Sequence, residues 1–97
     1  MEDERPRLVE VPQRQFVRAA RMVTSSQYAS ASMLQRRLRV DTGQAARLML
    51  ALEGAGVIAG AVGGRARRVL VTLAEVEAVF ERFGIIEDAL PADTEPH

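Results

Sequence analysis

Several residue types that support common chemistries are missing from this chain of 97 residues. Cysteine is absent, which excludes a disulfide framework and a thiolate metal site. The single histidine, His97, is the last residue of the sequence, so neither metal binding nor histidine-dependent catalysis is expected. Lysine is also absent, which excludes lysine-dependent chemistry and the phosphate-binding loop that ends in Gly-Lys-Ser/Thr. We therefore expect a protein without a metal, a cofactor or a catalytic site.

Long apolar segments are missing too. No apolar run approaches the roughly 18 residues that a membrane-spanning helix needs. The first residues, MEDERPR, are acidic and charged, whereas a signal peptide has a basic start and an apolar centre. A hydrophobic content of 47% predicts one small compact domain, with a core too small to enclose a deep active site. We expect a cytoplasmic protein that has no membrane partner.

The net charge of zero conceals a strong segregation of charge along the chain. Residues 1–12 carry two arginines and four acidic residues, a net charge of −2. Residues 13–72 carry ten arginines against Asp41 and Glu53, a net charge of +8. Residues 73–97 carry Arg82 against seven acidic residues, a net charge of −6. A basic body between acidic ends favours a polyanionic partner, and the alternative is a solvated arginine surface in an arginine-rich proteome.

Apolar residues recur at helical spacing in three segments before Gly56. The first predicted helix runs from Gln13 to about Thr24, and the second is capped by Ser30 or Ser32 and ends near Arg39. Asp41 followed by Gln44 is a capping-box pattern, which predicts a third helix from Thr42 to about Ala55. Helical spacing predicts that this third helix has two faces. One face carries Ala45, Leu48, Met49 and Leu52, and the other carries Gly43, Gln44, Arg47 and Ala51.

After Gly56 two short β-branched runs, 57–59 and 69–71, flank a glycine-containing loop and predict a β-hairpin. Thr72 with Glu75 repeats the capping-box pattern, and the following apolar stripe, closed by Gly84, predicts a fourth helix. The predicted fold is mainly α with a small β-hairpin: a winged helix-turn-helix extended by a C-terminal helix. We divide the chain into an N-terminal arm (1–12), the winged-helix domain (13–84) and an acidic, partly disordered tail (85–97).

Three helices followed by a basic, glycine-tipped hairpin are the elements of a winged helix, which lays its third helix in the major groove of DNA. Arginines on the preceding helix and on the wing are suited to phosphate contacts, and residues at the start of the third helix are suited to base contacts. The predicted partner is double-stranded DNA. The predicted DNA-binding residues are Gln35, Arg36, Arg37, Arg39, Thr42, Gly43, Gln44, Arg47, Arg65, Arg67 and Arg68.

The stretch ASASMLQRRLRVDTGQAARLMLALEGAGVIAG, with RARRVLVTLAEVEAVF after it, resembles the C-terminal gamma domain of the FtsK/SpoIIIE DNA translocases. The similarity extends from about Phe16 to Val71, and its most specific part runs from Leu34 to Ile58. The resemblance implies a winged helix that binds short, polar, G-rich sequences which orient translocation along the chromosome. It also implies a contact with a site-specific recombinase or a translocase, and a nucleoid-associated location.

This chain departs from the family pattern at the turn into the third helix. The family commonly has Ile-Gly-Tyr-Asn-Arg-Ala-Ala-Arg where this chain has VDTGQAAR, residues 40–47. Gly43 offers no side chain, Gln44 is suited to adenine, and Arg47 is suited to a guanine or a phosphate. In the wing, a common Arg-Glu pair is Arg67-Arg68, which strengthens the attraction to phosphates. The G-rich target is therefore not carried over to this chain.

Other interpretations stay open at this point. Arg47 is also placed to pair with Glu53 or with the C-terminal helix, Gln44 to serve only in the capping box, and the arginines of the first helix to form a solvated face. Loss of the Asn-Arg pair favours a second function, a module that docks on a recombinase or a translocase. The acidic tail is suited either to fold back on the basic body or, through its apolar residues, to form a homodimer. A chain from Met1 to His97 is expected to be a freestanding gamma-like domain that marks DNA sites for another machine or regulates transcription.

Overall fold

Four α-helices make up most of residues 11–60 and 66–85, the part of the chain that the structure, a computed structural model, describes. They are α1 (Gln13–Ser26), α2 (Ala31–Leu38), α3 (Thr42–Gly54) and α4 (Val76–Arg82). None of these helices is both long and apolar enough to cross a membrane. Most of the predicted arm, Arg65 in the predicted wing, and the predicted tail from residue 86 onward lie outside the described residues.

The first helix is longer than the sequence predicted, because its C-terminal hydroxyl groups bond to the helix itself. Thr24 Oγ1 donates to the carbonyl of Ala20 at 2.7 Å, and Ser26 Oγ donates to the carbonyl of Met22 at 3.0 Å. Such bonds let serine and threonine remain in a helix that they would otherwise end. Gln27 then ends α1 in the left-handed conformation, with φ at 58°.

The N-termini of α2 and α3 have the caps that the sequence predicted. The Ser30 side chain accepts a hydrogen bond from the Met33 amide at 3.1 Å, and Asp41 Oδ1 accepts one from the Gln44 amide at 2.8 Å. Each bond satisfies an amide that a helix N-terminus leaves without a partner. Arg39 ends α2 in the left-handed conformation, with φ at 57°. Only residues 39–41 therefore separate the two helices.

Helix α3 is buried on a wider face than the sequence predicted. Ala45, Leu48, Met49 and Leu52 are buried as expected, but Ala51 is also buried, at 1% exposure, and its assignment to the opposite face was wrong. Ala51 lies one turn from both Leu48 and Ala55, and α3 packs against α1 as well as against α2. The exposed residues in the first part of α3 are Thr42, Gly43, Ala46, Arg47 and Leu50.

The predicted β-hairpin is present only as isolated backbone pairs in the described residues. Ile58 forms an antiparallel bridge with Val69, flanked by hydrogen bonds from the Ala59 amide to Arg68 and from the Leu70 amide to Val57, both 2.8 Å. Arg67 instead bridges to Ala29, with its amide 2.7 Å from the Ala29 carbonyl. Because the returning segment divides its hydrogen bonds between two partners, no continuous strand forms in residues 11–60 and 66–85.

The second capping box forms, although α4 begins later than expected. The Thr72 amide donates to Glu75 Oε1 at 2.8 Å, and the Glu75 amide donates to Thr72 Oγ1 at 3.2 Å. Residues 73–75 form a turn, and the helix starts at Val76. Gly84, with φ at 71°, closes the segment as predicted. The next residue, Ile85, was assigned to the tail, but it is buried at 6% exposure and its amide bonds to the Phe80 carbonyl.

Among the described residues one hydrophobic core joins the helices to the two limbs held by the Ile58–Val69 bridge, residues 57–59 and 67–71, which we call the paired segment. α2 and α3 pack on each other and on α1, and α4 packs on α1. Phe16 of α1 lies 6.2 Å from the Phe80 ring and 6.4 Å from the Phe83 ring, centroid to centroid. Since α4 is held by α1, the α2–α3 turn and the start of α3 keep exposed side chains. The largest fully buried side chains are Phe16, Leu34, Leu48, Leu52, Ile58, Val23, Val57 and Val76.

Candidate nucleic-acid interface

Four exposed arginines surround the α2–α3 turn, and we call them the turn arginines: Arg36, Arg37, Arg39 and Arg47. Arg36 and Arg37 lie in the last turn of α2, where their charge also complements the negative end of the helix dipole. Within residues 11–60 and 66–85 none of the four has a carboxylate partner. The structure thus leaves four of the predicted site residues, in α2, in the turn and in α3, as exposed positive charge.

Gln35 and Thr42 connect α2 to α3 across the turn. Gln35 Nε2 donates to Thr42 Oγ1 at 2.9 Å, which couples the first residue of α3 to α2. Gly43, the next residue, is exposed, and a Cβ built there would have Asp41 Oδ1 as its nearest neighbour at 3.7 Å. That distance is an ordinary contact, so packing does not require glycine at this position. The effect of Gly43 is an open backbone surface at the start of α3.

The Gln44 side chain points toward α1 and does not complete the capping box. Its Nε2 donates to Gln15 Oε1 at 2.7 Å, and its Oε1 accepts a hydrogen bond from Arg47 Nη1 at 3.1 Å. Both ends of the amide are therefore bonded within the protein. The sequence analysis did not identify Gln15, because no local pattern relates residues that are 29 positions apart. Adenine contact by Gln44 stays a prediction, and these two bonds already occupy one donor and one acceptor site of the amide.

The predicted wing arginines are in different environments. The Arg67 side chain is 16% exposed, and its Nη1 donates to Glu53 Oε1 at 3.1 Å and to the Ala59 carbonyl at 3.2 Å. Glu53 therefore pairs with Arg67 and not with Arg47. Arg68 is exposed, and Arg65 lies outside the described residues. The phosphate contacts predicted for these three arginines stay predictions.

The arginines of α1 are also divided between two roles. Arg21 forms an ion pair with Glu77 of α4 at 2.8 Å and lies over the Phe80 ring, 5.2 Å from its centroid. Arg18 is exposed, and Arg14 is half-buried. Arg21 thus binds α4 to α1, whereas Arg18 is directed to solvent.

One protein-family profile matches the basic body of this chain. The profile of the family described as Ftsk gamma domain matches residues 13–72, which is more than half of the chain. The chain belongs to the FtsK gamma domain family. The match includes α1, α2, α3 and the paired segment, and it ends before α4.

Curated relatives of this gamma domain are named DNA translocase FtsK. The Mycobacterium tuberculosis H37Rv protein is 48% identical over 56 residues, which cover 58% of this chain and 7% of the relative. The Streptococcus agalactiae protein is 53% identical over 57 residues, 59% of this chain and 7% of the relative. The Corynebacterium glutamicum protein is 40% identical over 78 residues, 80% of this chain and 8% of the relative. The chain spans less than a tenth of the length of these relatives.

A shallow concavity of about 550 Å³ on the gamma domain joins the C-terminal half of α1 to α2. Its basic residues are Arg18, Arg21 and Arg37, so it is continuous with the turn arginines through Arg37. The other lining residues are Met22, Ser25, Ser26 and Leu73.

The described part of the gamma domain does not gather metal-binding side chains. In residues 11–60 and 66–85 no three of the histidine, cysteine, aspartate and glutamate side chains are close enough together to hold a metal ion. The arrangement that the structure does provide is a set of guanidinium groups beside a helix N-terminus. Guanidinium groups bind phosphates and the edge of guanine by paired hydrogen bonds.

Proposed function

We propose that this gamma domain is a non-catalytic module that binds double-stranded DNA through a winged-helix surface. The observation that carries the proposal is the group of turn arginines, which are exposed and have no carboxylate partner in residues 11–60 and 66–85. Membership in the FtsK gamma domain family and the name of the relatives, DNA translocase, support the same partner.

In this proposal α3 enters the major groove. Thr42 and Gly43 are small residues at its exposed N-terminus, so the backbone is able to approach the base edges closely. Arg47 lies farther along the same exposed face and reads a base. Arg36, Arg37 and Arg39 contact the phosphates, which fixes the orientation of α3 in the groove.

The paired segment supplies the wing of the proposed fold. It follows α1, α2 and α3 in chain order, and the bridge between Ile58 and Val69 brings its two limbs together. Arg68 is the exposed arginine of the described limb, and a phosphate contact by Arg65 is proposed from the sequence alone. Arg67 supports the wing by bonding Glu53 and Ala59, so Arg68 is the better candidate for a phosphate contact.

The biological role that fits this activity is guidance of DNA translocation during chromosome partition. The gamma domain would mark preferred duplex sequences on the nucleoid for a translocase, since its relatives carry that name. Regulation of transcription is the other process that a small sequence-preferring DNA-binding domain serves. A site selected within a promoter would favour regulation of transcription, and recurring sites with one orientation along the chromosome would favour guidance.

The first experiment is a fluorescence-anisotropy titration of the full chain with a labelled duplex at two salt concentrations. Phosphate contacts release counterions, so affinity must fall steeply with salt, by a log–log slope of about −0.9 for each contact. Absence of salt-sensitive binding at low ionic strength would overturn the proposal. Selection from random duplexes then tests sequence preference, because a purely phosphate-binding protein enriches no motif.

A second candidate function is favoured by one specific observation, the apolar residues on the exposed face of α3. Leu50 is 53% exposed and follows Ala46 on that face. Apolar side chains beside arginines also suit a protein surface, such as that of a recombinase or a translocase. On this alternative the L50S variant binds duplex DNA with less than a twofold change but loses its protein partner.

A further inference from the structure

A chain of hydrogen-bonded side chains leads from α1 to the exposed face of α3. Gln15 Oε1 accepts from Gln44 Nε2 at 2.7 Å, and Gln44 Oε1 accepts from Arg47 Nη1 at 3.1 Å. Gln15 and Gln44 are half-buried, whereas Arg47 is exposed. This series of hydrogen bonds therefore starts on α1, at the edge of the packed interior, and ends at the side chain proposed to read a base.

The direction of these hydrogen bonds, from donor to acceptor, is determined by the charged end of the series, Arg47. A guanidinium has only donors, so Gln44 must present its oxygen to Arg47. The Gln44 amide nitrogen then points toward α1, where it needs an acceptor, and Gln15 provides its oxygen. If both glutamine amides were turned over, Gln44 would present N–H groups to the guanidinium, and two donors would face each other. Only one orientation of the two amides forms both of the hydrogen bonds that join the three side chains.

We infer that Gln15 is a positioning residue for DNA recognition, acting on Arg47 through Gln44. This inference rests on the proposed function. An arginine side chain that is already ordered in the free protein loses less conformational entropy when it pairs with a base. Arg47 donates to Gln44 through Nη1, so its remaining N–H groups are available to the two acceptors of a guanine.

The inference also changes the role proposed for Gln44. A glutamine that reads adenine uses its oxygen and its nitrogen together. In this gamma domain those two groups contact Arg47 and Gln15. Gln44 therefore acts as a support for Arg47 in the free protein, and Arg47 is the side chain of this series proposed to read a base.

The first test measures the free protein and needs no DNA. The Q15L variant removes the acceptor with little change in side-chain volume, and Q13L makes the same change at an exposed position of α1. We expect the NMR order parameter of the Arg47 Nε–Hε group to fall in Q15L, toward the values below about 0.6 that mark flexible groups. It should stay at the wild-type value in Q13L. An unchanged Arg47 order parameter in Q15L would overturn the inference.

The second test measures base discrimination. The base pair read by Arg47 is first located as the position where R47A loses its preference in selection from random duplexes. We expect Q15L to reduce the preference at that same position by about fivefold, and to leave the other positions and the salt slope unchanged, because glutamine carries no charge. Uniform weakening at all positions would mean a merely structural role and would overturn the inference.

Two further variants separate positioning from other effects. Q15E keeps an acceptor at the same place, so it should restore the ratio between preferred and altered base pairs, although its negative charge lowers overall affinity. In the R47A background, Q15L should cause no additional loss of preference, because the residue that it positions is gone. Failure of the wild-type chain to bind duplex DNA overturns the proposed function, and the order parameter still reports whether Gln15 orders Arg47.

Discussion

The turn arginines and the arginines packed against the rest of the fold differ in their partners, although they are the same residue type in one small domain. The packed arginines are Arg21, Arg67 and Arg82: the first two pair with Glu77 and Glu53, and Arg82, although exposed, donates to the Ala55 carbonyl at 2.8 Å. Among the described residues the turn arginines have no carboxylate partner, and Arg47 bonds only a glutamine. Net charge by sequence therefore overstates the positive surface available to a partner. The positive surface available to a partner depends on which guanidinium groups the fold leaves without a carboxylate, carbonyl or ring partner.

The largest expected effect, on DNA affinity, comes from replacing the three turn arginines that lie in α2 and in the α2–α3 turn. In R36Q/R37Q/R39Q we expect DNA affinity at physiological salt to fall on the order of 100-fold, because three phosphate contacts are lost. The log–log salt slope should decrease in magnitude by about 3. Anisotropy titrations at four salt concentrations measure both quantities.

Thermal unfolding of the same variant provides the control. Because Arg36 and Arg37 complement the negative end of the α2 dipole but have no packed partner among the described residues, the free energy of unfolding should fall by no more than about 1 kcal/mol. An unchanged salt slope would show that these three arginines do not contact phosphate, and the comparison between the two groups would lose its functional meaning.

A smaller effect, on stability and not on DNA binding, is expected when a packed arginine is replaced. R82A removes a hydrogen bond from a charged donor to the Ala55 carbonyl and a contact over the Phe83 ring, whose centroid lies 5.7 Å from the guanidinium carbon. The free energy of unfolding should fall by about 1 kcal/mol, measured by urea denaturation. The DNA salt slope should not change.

The lysine variant R82K keeps a charged donor and should recover part of the lost stability. Should R82A instead retain full stability and lower the salt slope by about 1, Arg82 would belong with the turn arginines.

The acidic tail tests whether the turn arginines are partly screened within the chain. Because Ile85 is part of the core, the truncation that removes only the acidic segment ends after Ile85 and not after Gly84. Loss of four acidic residues should tighten DNA binding by about threefold at low salt. The acidic residues removed are Glu87, Asp88, Asp93 and Glu95.

A full-length chain with those four residues changed to their amides is the matched control, and it should bind DNA like the truncated chain. Equal affinity of the wild type and both variants would remove the tail hypothesis. Light scattering of the truncated chain tests the other hypothesis, in which apolar tail residues form a homodimer.

The smallest effect is expected at the ion pair between Arg21 and Glu77. Their side chains are 36% and 58% exposed, so solvent screens the pair. E77Q should lower the free energy of unfolding by only about 0.3 kcal/mol, and the difference should vanish in 1 M salt. DNA affinity should change by less than twofold. A double-mutant cycle with R21Q measures the pair directly, and a coupling energy above about 1 kcal/mol would contradict this expectation.

The capping residues were predictable because they depend on local chemistry, although α1 ends later and α4 begins later than expected. The caps at Ser30 and Asp41, and the reciprocal pair of Thr72 and Glu75, join residues three positions apart. Sequence reasoning was less successful where a segment chooses between distant partners. The bridge from Arg67 to Ala29 interrupts the expected hairpin, and no pattern in either segment indicates it.

The sequence predicted which residues form the candidate site, but not the bonds that several of them make within the protein. The sequence predicted DNA contacts for Gln44, Arg47 and Arg67, because each is a polar residue on or beside a predicted recognition element. The structure bonds Gln44 to Gln15 and Arg67 to Glu53. Those bonds involve residues 29 and 14 positions apart, so they depend on how α1, α3 and the paired segment pack.

The sequence by itself determined the family, the four helices, and a basic body between acidic ends, since spacing, capping residues and charge are written along the chain. Only the tertiary structure decided which arginines near the α2–α3 turn stay without a carboxylate partner among the described residues and which are bound to the rest of the fold. A guanidinium is bound by whatever carboxylate, carbonyl or ring the fold brings within a few ångströms, and that proximity has no signature in local sequence.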